Sequence, residues 1–350
     1  MSTKNIAPLR LGILGCANIA KQFVRDVLGS PTVHIHAVAS RQLSKAKEFA
    51  NQFGITRTMG NYEAMVQDTQ IDAIYIPLPN SMHAEWAIKA LQAGKHVLCE
   101  KPLALSLAEA RSMFNAARTN GVMLLESYPY WFQPQTADLM NCLSATDGTG
   151  IGKVRSIQAS FGYTVANPET NIRMKPELGG GALLDAGSYA LSLIRLVMES
   201  APQEVIAHAN WSISGVDMSM MASLLYADGR RAQISCAMDG ANHRRATIVG
   251  SHGIIETEFL NHTSPTKNHK WGYLPSQMRV RKGIPNTIAY EEIQSSTGSG
   301  FKFAIEAFTK IVQNKDTKKI TQSTAASIDI AATLEAIKKS ATTGKMTKVG

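Results

Sequence analysis

Residues 11–20 read Leu11-Gly12-Ile13-Leu14-Gly15-Cys16-Ala17-Asn18-Ile19-Ala20. The first four predict a short buried strand, and the rest a tight turn into a helix from about Asn18. A strand–turn–helix unit holds a pyrophosphate when it supplies a tight turn, a backbone close to the phosphate, and close packing of helix on strand. Gly15, Ala17 and Ala20 stand at those three positions. The methyl of Ala17 lies where a second glycine usually admits the phosphate, but the helix start still offers unpaired N–H groups and a favourable dipole. Gly15, Cys16, Ala17, Asn18 and Ile19 are therefore candidates for cofactor binding. Taken alone the turn reads equally well as purely structural; its place at the head of a βαβ unit favours the nucleotide.

Working outward, residues 33–39 read as the next strand. A helix follows with Ala46, Phe49, Ala50 and Phe53 on one stripe and Gly54 at its end. Residues 71–76 form a third apolar strand, and Ala84, Ala87, Ile88 and Leu91 a helix face that stops at Gly94. Residues 96–98 are strand-like, Ser106 and Glu109 make a capping box, and residues 122–125 supply another strand. Such alternation with short connections predicts a parallel, doubly wound sheet covered on both faces.

From about Lys153 the period changes to two. Ile157, Ala159, Phe161 and Tyr163 alternate with polar residues, as do Val205, Ala207, Ala209, Trp211 and Ile213. Asp228-Gly229 and Ser251-His252-Gly253 mark turns between apolar runs, so an antiparallel sheet is expected. One helix interrupts it, carrying Ala190, Leu191, Ile194 and Val197, and two more are expected near 301–312 and 325–339. Residues 261–288, with Pro265, Pro275 and Pro285, read as an excursion from the sheet.

The end of the second strand selects the cofactor. An NAD site places Asp or Glu there for the adenosine ribose, whereas an Arg accommodates a 2′-phosphate. This chain has Ser40-Arg41 and no acid. A guanidinium pairs with that phosphate and stacks on adenine, so NADP is expected, with NAD as the alternative.

Composition narrows the rest. Of 350 residues, 44% are hydrophobic and 18% charged, enough apolar material for two cores. The net charge of +9 is spread along the chain rather than gathered in a block, which argues against nucleic acid. Cys16, Cys99, Cys142 and Cys236 lie far apart and read as reduced thiols of a cytoplasmic protein. No secretory leader or membrane span is expected. The nine histidines show no ligand spacing; His34 and His36 share a strand face, but a structural role is expected of them and no metal.

Three further segments carry a family resemblance: Ile76-Pro77-Leu78-Pro79-Asn80-Ser81-Met82-His83, Cys99-Glu100-Lys101-Pro102, and Gly179-Gly180-Gly181-Ala182-Leu183-Leu184-Asp185-Ala186-Gly187-Ser188-Tyr189. In this order and spacing they resemble the Gfo/Idh/MocA oxidoreductases over nearly the whole chain. The resemblance implies an α/β protein with an N-terminal NADP-binding Rossmann domain, residues 1–127. It implies a C-terminal α/β domain, residues 128–350, whose large, mostly antiparallel sheet serves substrate binding and oligomerisation. A homo-dimer or homo-tetramer through the open sheet face is implied, with substrate held between the domains against the nicotinamide. The loop with Pro77, Leu78, Asn80 and His83 is implied to lie along the cofactor, together with Glu100 and Lys101. Asn80 has a capping role as its alternative.

Lys101 and Tyr189 match the family's catalytic positions. The chemistry asks for such groups: oxidising an alcohol removes a hydride from carbon and a proton from oxygen. A phenol ionises near pH ~10 and needs a neighbouring cation to act as base at neutral pH. Asp185, one helical turn before Tyr189, is expected to contact substrate, with an N-cap role as its competitor. Relatives often end the motif with His rather than Tyr, and carry Arg and His where this chain has Trp131 and Gln133 before Pro134-Gln135. Trp131 and Arg173 are the remaining candidate substrate contacts. The expected activity is hydride transfer to or from a sugar hydroxyl or carbonyl. The alternatives are trans-dihydrodiol oxidation and a non-catalytic NADP-binding regulatory protein.

Overall fold

The computed structural model describes residues 7–145 and 150–350; residues 1–6 of the expected first domain, and 146–149, lie outside the described residues. The chain divides into two compact units. The first comprises residues 1–103, 108–127 and Phe301–Thr324 and the second residues 104–107, 128–300 and 325–350, so a segment from the last fifty residues belongs with the first unit.

In the first unit β1 (Leu9–Leu14), α1 (Asn18–Val27), β2 (Val33–Ala39), α2 (Leu43–Phe53), β3 (Arg57–Met59), α3 (Tyr62–Gln67), β4 (Ala73–Ile76), α4 (His83–Gln92), β5 (His96–Glu100), α5 (Leu107–Thr119) and β6 (Leu124–Ser127) follow in sequence. The strands pair in the order β3-β2-β1-β4-β5-β6, all parallel. This is the doubly wound order, whose switch point lies between β1 and β4. Both faces are covered: Leu11, Ile13, Ile74, Tyr75, Val97 and Leu98 have no exposed surface. Phe23 of α1 stacks on Tyr75 with centroids 3.9 Å apart. Gly54 ends α2 at φ 69°, the left-handed position a glycine adopts without penalty. Two elements, β3 and α3, fill a stretch whose three- and six-residue lengths are too short for a period to show. The expected strand at 71–76 starts later, at Ala73, and just before it the Asp72 carboxylate takes the Arg10 guanidinium at 2.6 Å.

The second unit begins with α6 (Pro134–Ser144), then β7 (Val154–Thr164), α7 (Ser188–Met198), β8 (Glu204–Trp211), β9 (Asp217–Leu225), β10 (Arg231–Ala237), β11 (Asp239–Gly250), β12 (Gly253–Thr257), β13 (Met278–Lys282) and β14 (Glu291–Glu292). Helix α8 (Gly300–Asn314) and the start of α9 (Thr317–Thr343) belong to the first unit; the rest of α9 and β15 (Thr347–Lys348) return to the second. Nine strands pair in the order β14-β13-β12-β11-β7-β10-β9-β8-β15, antiparallel except for β7 with β10. The excursion expected at 261–288 is therefore partial: Met278–Lys282 returns to pair with β12, burying Met278 and Val280. A second correction concerns membrane spans. Residues Pro176–Met198 are long and apolar enough to cross a bilayer by composition, yet 83% of that window is buried inside the fold. It supplies the helix that packs on one face of the sheet, where Ala190, Leu191, Leu193 and Ile194 are buried with Ile157, Ala159, Ile234 and Ile248.

Candidate active site

In the first unit three loops leave the carboxyl ends of β1, β4 and β5. Gly15 has φ 119°, and a Cβ there would stand 2.9 Å from the Leu78 side chain, so the turn after β1 and the loop after β4 are in contact. That requirement, a positive φ and a close approach, is why glycine holds this position. Helix α1 then starts with no side-chain cap and no acidic residue in its first turn, leaving N–H groups and dipole for an anion. Burial pushes the Cys16 thiol up, so it adds no negative charge to this turn. The Arg41 charge acts on the Tyr62 phenol, whose pKa burial raises. The charges of Lys21 and Lys45 also reach this turn.

His83 was expected at the cofactor. Its ring is buried, with Nε2 2.9 Å from the Leu78 carbonyl and Nδ1 2.8 Å from the Pro102 carbonyl. It ties the loop after β4 to the loop after β5. Burial lowers its pKa, the two carbonyls opposing. The loop after β5 is held along its length. Glu100 accepts a hydrogen bond from the Tyr75 hydroxyl at 2.7 Å, and burial raises its carboxyl. The Lys101–Pro102 peptide is cis. Leu103 N donates to Glu126 Oε1 at 2.8 Å. Lys101 is thus carried on a loop braced at Glu100, Pro102 and Leu103.

In the second unit Asp185 and Tyr189 lie over β7. Residues Leu183–Gly187 form a π-turn that runs into α7, a local widening often found at functional sites. Gly187 permits it at close range: a Cβ there would meet Cys236 Sγ at 3.0 Å. Asp217 of β9 caps the turn, its Oδ2 accepting from Leu183 N at 2.6 Å, so the N-cap role weighed for Asp185 falls to Asp217. Asp185 instead accepts from Arg173 Nε at 2.7 Å and from the Tyr163 hydroxyl. The structure therefore joins two expected residues and adds Tyr163. Burial, and then the Asp185 charge, holds the Tyr163 phenol protonated, and the Asp185 charge holds the Arg173 guanidinium charged.

Tyr189 is 6% exposed and accepts from Asn261 Nδ2 at 3.0 Å. Around it stand Tyr128, Tyr130 and Phe161, with ring centroids 5.4, 6.2 and 5.7 Å away. Arg244 of β11 lies over the same ring, its guanidinium carbon 4.2 Å from the centroid. Trp131, expected at the substrate, donates its indole N–H to Tyr130 Oη at 2.7 Å. Ser192 Oγ donates to the Tyr189 carbonyl, so Tyr130 must give its own proton to Ser192 Oγ at 2.7 Å. Burial further holds the Tyr130 phenol protonated. Of these neighbouring phenols, Tyr130 is committed as a donor, whereas the Tyr189 oxygen faces a donor and a cation.

Arg244 and Asn261 went unread in the sequence. Arg244 had a signal: it shares the parity of Ala246 and Ile248, which are buried, so it points a cation at the core face. Asn261 had none, since it follows the end of β12 in irregular chain.

Residues 9–128 match the profile described as an oxidoreductase family with an NAD-binding Rossmann fold, and residues 144–256 match the GFO/IDH/MocA C-terminal domain. The chain is 30% identical over 336 residues to D-xylose 1-dehydrogenase (NADP(+)) 2 of Haloferax volcanii, covering 96% of this chain and 98% of that one. It is 33% identical over 301 residues to trans-1,2-dihydrobenzene-1,2-diol dehydrogenase of Xenopus laevis, covering 84% and 86%. The crystal structure of KijD10, a 3-ketoreductase from Actinomadura kijaniata in complex with NADP and TDP-benzene, superposes with TM-score 0.84 at 30% identity, covering 95% of this chain and 98% of that one. Fold and site define a nicotinamide-dependent oxidoreductase with an NAD(P)-binding Rossmann domain. The chain belongs to the Gfo/Idh/MocA family.

Proposed function

We propose that this protein is an NADP(H)-dependent oxidoreductase acting on a hydroxyl or carbonyl of a sugar or sugar derivative, with Lys101 and Tyr189 as its catalytic pair. The observation that carries the reading is the contrast around Tyr189: its oxygen accepts from Asn261 beneath the Arg244 cation, while neighbouring Tyr130 is locked as a donor. Gly15, the uncapped start of α1 and the basic end of β2 at Arg41 fit a phosphorylated dinucleotide. The bound cofactor supplies a carbon centre that accepts or returns a hydride.

In the oxidative direction the substrate hydroxyl gives its proton to the Tyr189 oxygen as the carbinol carbon releases its hydride, leaving a carbonyl. In reduction the Tyr189 hydroxyl returns that proton. Lys101 hydrogen-bonds the reacting oxygen and stabilises the charge that develops on it. Asp185, held by Arg173 and Tyr163, accepts hydrogen bonds from neighbouring hydroxyls and fixes the ring's orientation. Trp131 borders the same pocket. Cys16, Ala17, Asn18, Ile19, Ser40, Pro77, Leu78 and Asn80 contact the cofactor, with His83 and Glu100 holding their loops.

Residues 1–127 bind NADP in this reading, and residues 128–350 bind substrate and join subunits. The sheet face lined by Ile206, His208, Met221, Ser223, Arg245 and Thr247 is the surface for a homo-dimer or homo-tetramer; Met221 there is 64% exposed. Four free cysteines suit a reducing cytoplasm.

The aromatic wall of Tyr128, Tyr130, Phe161 and Phe259 favours one second reading, oxidation of a trans-diol on an apolar ring. The test follows the reduced-cofactor absorbance with NADP or NAD against aldoses, polyols and trans-cyclic diols, beside Lys101→Ala and Tyr189→Phe. NADP-preferring turnover that falls at least a hundredfold in both variants is the expected result. Full activity in either variant removes that residue from the pair.

A further inference from the structure

Arg244 occupies a place that chain packing alone would give to an apolar residue. It pairs in register with Phe161 of β7 and points to the face that carries α7. Its guanidinium carbon lies 4.0 Å from the Phe161 ring, 4.2 Å from Tyr189 and 5.4 Å from Phe259. One carbonyl, that of Phe259, accepts from Nη1 at 3.3 Å, and the buried Nε has no hydrogen-bond partner. A half-buried cation whose Nε is buried without a partner is costly. Aromatic faces return part of that cost through their quadrupoles. No carboxylate forms an ion pair with Arg244 among the described residues; the nearby Asp185 is engaged by Arg173 and Tyr163. The positive charge therefore lies over the Tyr189 phenol ring, 4.2 Å from its centroid, with no carboxylate to neutralise it.

We infer that Arg244 is a positioning residue for Tyr189, clamping the phenol ring and stabilising negative charge on its oxygen as the proton is exchanged. The clamp has two jaws. Arg244 covers the ring from β11, and Asn261 holds the oxygen from the chain beyond β12. The groups facing Tyr189 within this unit are Arg244, Asn261, Tyr128 and Tyr130, with Asp185, Arg173 and Tyr163 one helical turn away. Of these only Arg244 is a cation not already paired with a carboxylate. The inference rests on the reading of Tyr189 as proton carrier for its purpose, but the coupling itself is measurable without turnover.

The experiment is a pH titration of the tyrosinate ultraviolet band in the full-length chain. The Tyr189 signal is isolated twice: as parent minus Tyr189→Phe, and as Arg244→Met minus the Arg244→Met, Tyr189→Phe double variant. The Tyr189 signal is expected to develop at least about one pH unit higher without the arginine, the size an adjacent opposite charge produces. Arg244→Lys, which keeps the charge and loses the planar stack, is expected to restore most of that shift; Arg244→Gln, which removes the charge but stays polar, stands in should Arg244→Met fail to fold. A purely structural arginine would change the melting temperature and leave the titration in place, and that result overturns the inference. Turnover of D-xylose or a trans-cyclic diol with NADP separates the two levels. If Tyr189→Phe keeps full activity, the catalytic reading fails while the coupling stands. If Tyr189→Phe is inactive and the titration does not move, the Arg244 inference fails alone.

Discussion

The Asp217 carboxylate accepts a hydrogen bond from Leu183 N at 2.6 Å, so the turn bearing Asp185 and Tyr189 is capped by a strand rather than by its own sequence. The fit is close: a Cβ on Gly181, whose φ is 113°, would stand 2.1 Å from Asp217 Oδ1.

Burial pushes the Asp217 carboxyl up from the ordinary 3.8 to about 6, with the backbone N–H groups opposing. Between those values the folded chain holds the proton more tightly than the unfolded chain, so this group's contribution to stability falls as pH rises through the window. At 1.36 kcal/mol per pH unit the charged form costs about 3 kcal/mol. Asp217→Asn is therefore expected to gain about 2 kcal/mol relative to the parent between pH 4 and pH 7. Denaturant unfolding at several pH values checks this; a constant difference would contradict it.

Arg173 and Asp185 are expected to act as one unit. Removing the guanidinium takes the paired cation from a partly buried carboxylate, so Arg173→Met should destabilise more than it does beside Asp185→Asn. A double-mutant cycle on thermal unfolding should return a coupling of about 1 kcal/mol or more. In steady-state kinetics the single variants should raise KM more than they lower kcat. Additive effects would mean that the pair does not hold substrate contacts in place.

Arg41 is expected to choose the cofactor. A guanidinium–phosphate hydrogen bond is worth about 1.5–3 kcal/mol, so Arg41→Ala should raise KM for NADP about tenfold to a hundredfold and leave KM for NAD nearly unchanged. Equal losses for both cofactors would place the arginine elsewhere than at the 2′-phosphate.

His83 braces two loops from a buried position. The neutral imidazole donates to one of the two carbonyls, so His83→Ala leaves that carbonyl short of its donor at about 1–3 kcal/mol and removes the strut between the loops. The melting temperature should fall by roughly 5 °C or more. The variant should also raise KM for NADP and lower kcat, because the Leu78 and Lys101 loops lose their common strut. An unchanged KM with a lowered melting temperature would limit His83 to stability.

The sequence by itself determined the alternation of strand and helix, the change to a period of two, the tight turn at Gly15, the basic end of β2, and the motifs that carry Lys101 and Tyr189. These are local: periods of 3.6 and 2 say which face of an element is buried, and turn chemistry says where it stops. Tertiary structure alone decided the partners. Asp217 caps a turn from another strand, and Arg173 takes Asp185. Arg244 reaches Tyr189 because β11 pairs with β7 in the register that sets it opposite Phe161. His83 faces the Pro102 carbonyl because β4 and β5 are neighbours in a sheet whose strand order no local pattern specifies. Local periodicity names the face a side chain takes; which group it meets there depends on strand order and register, and those are set by the packing of segments distant in the chain.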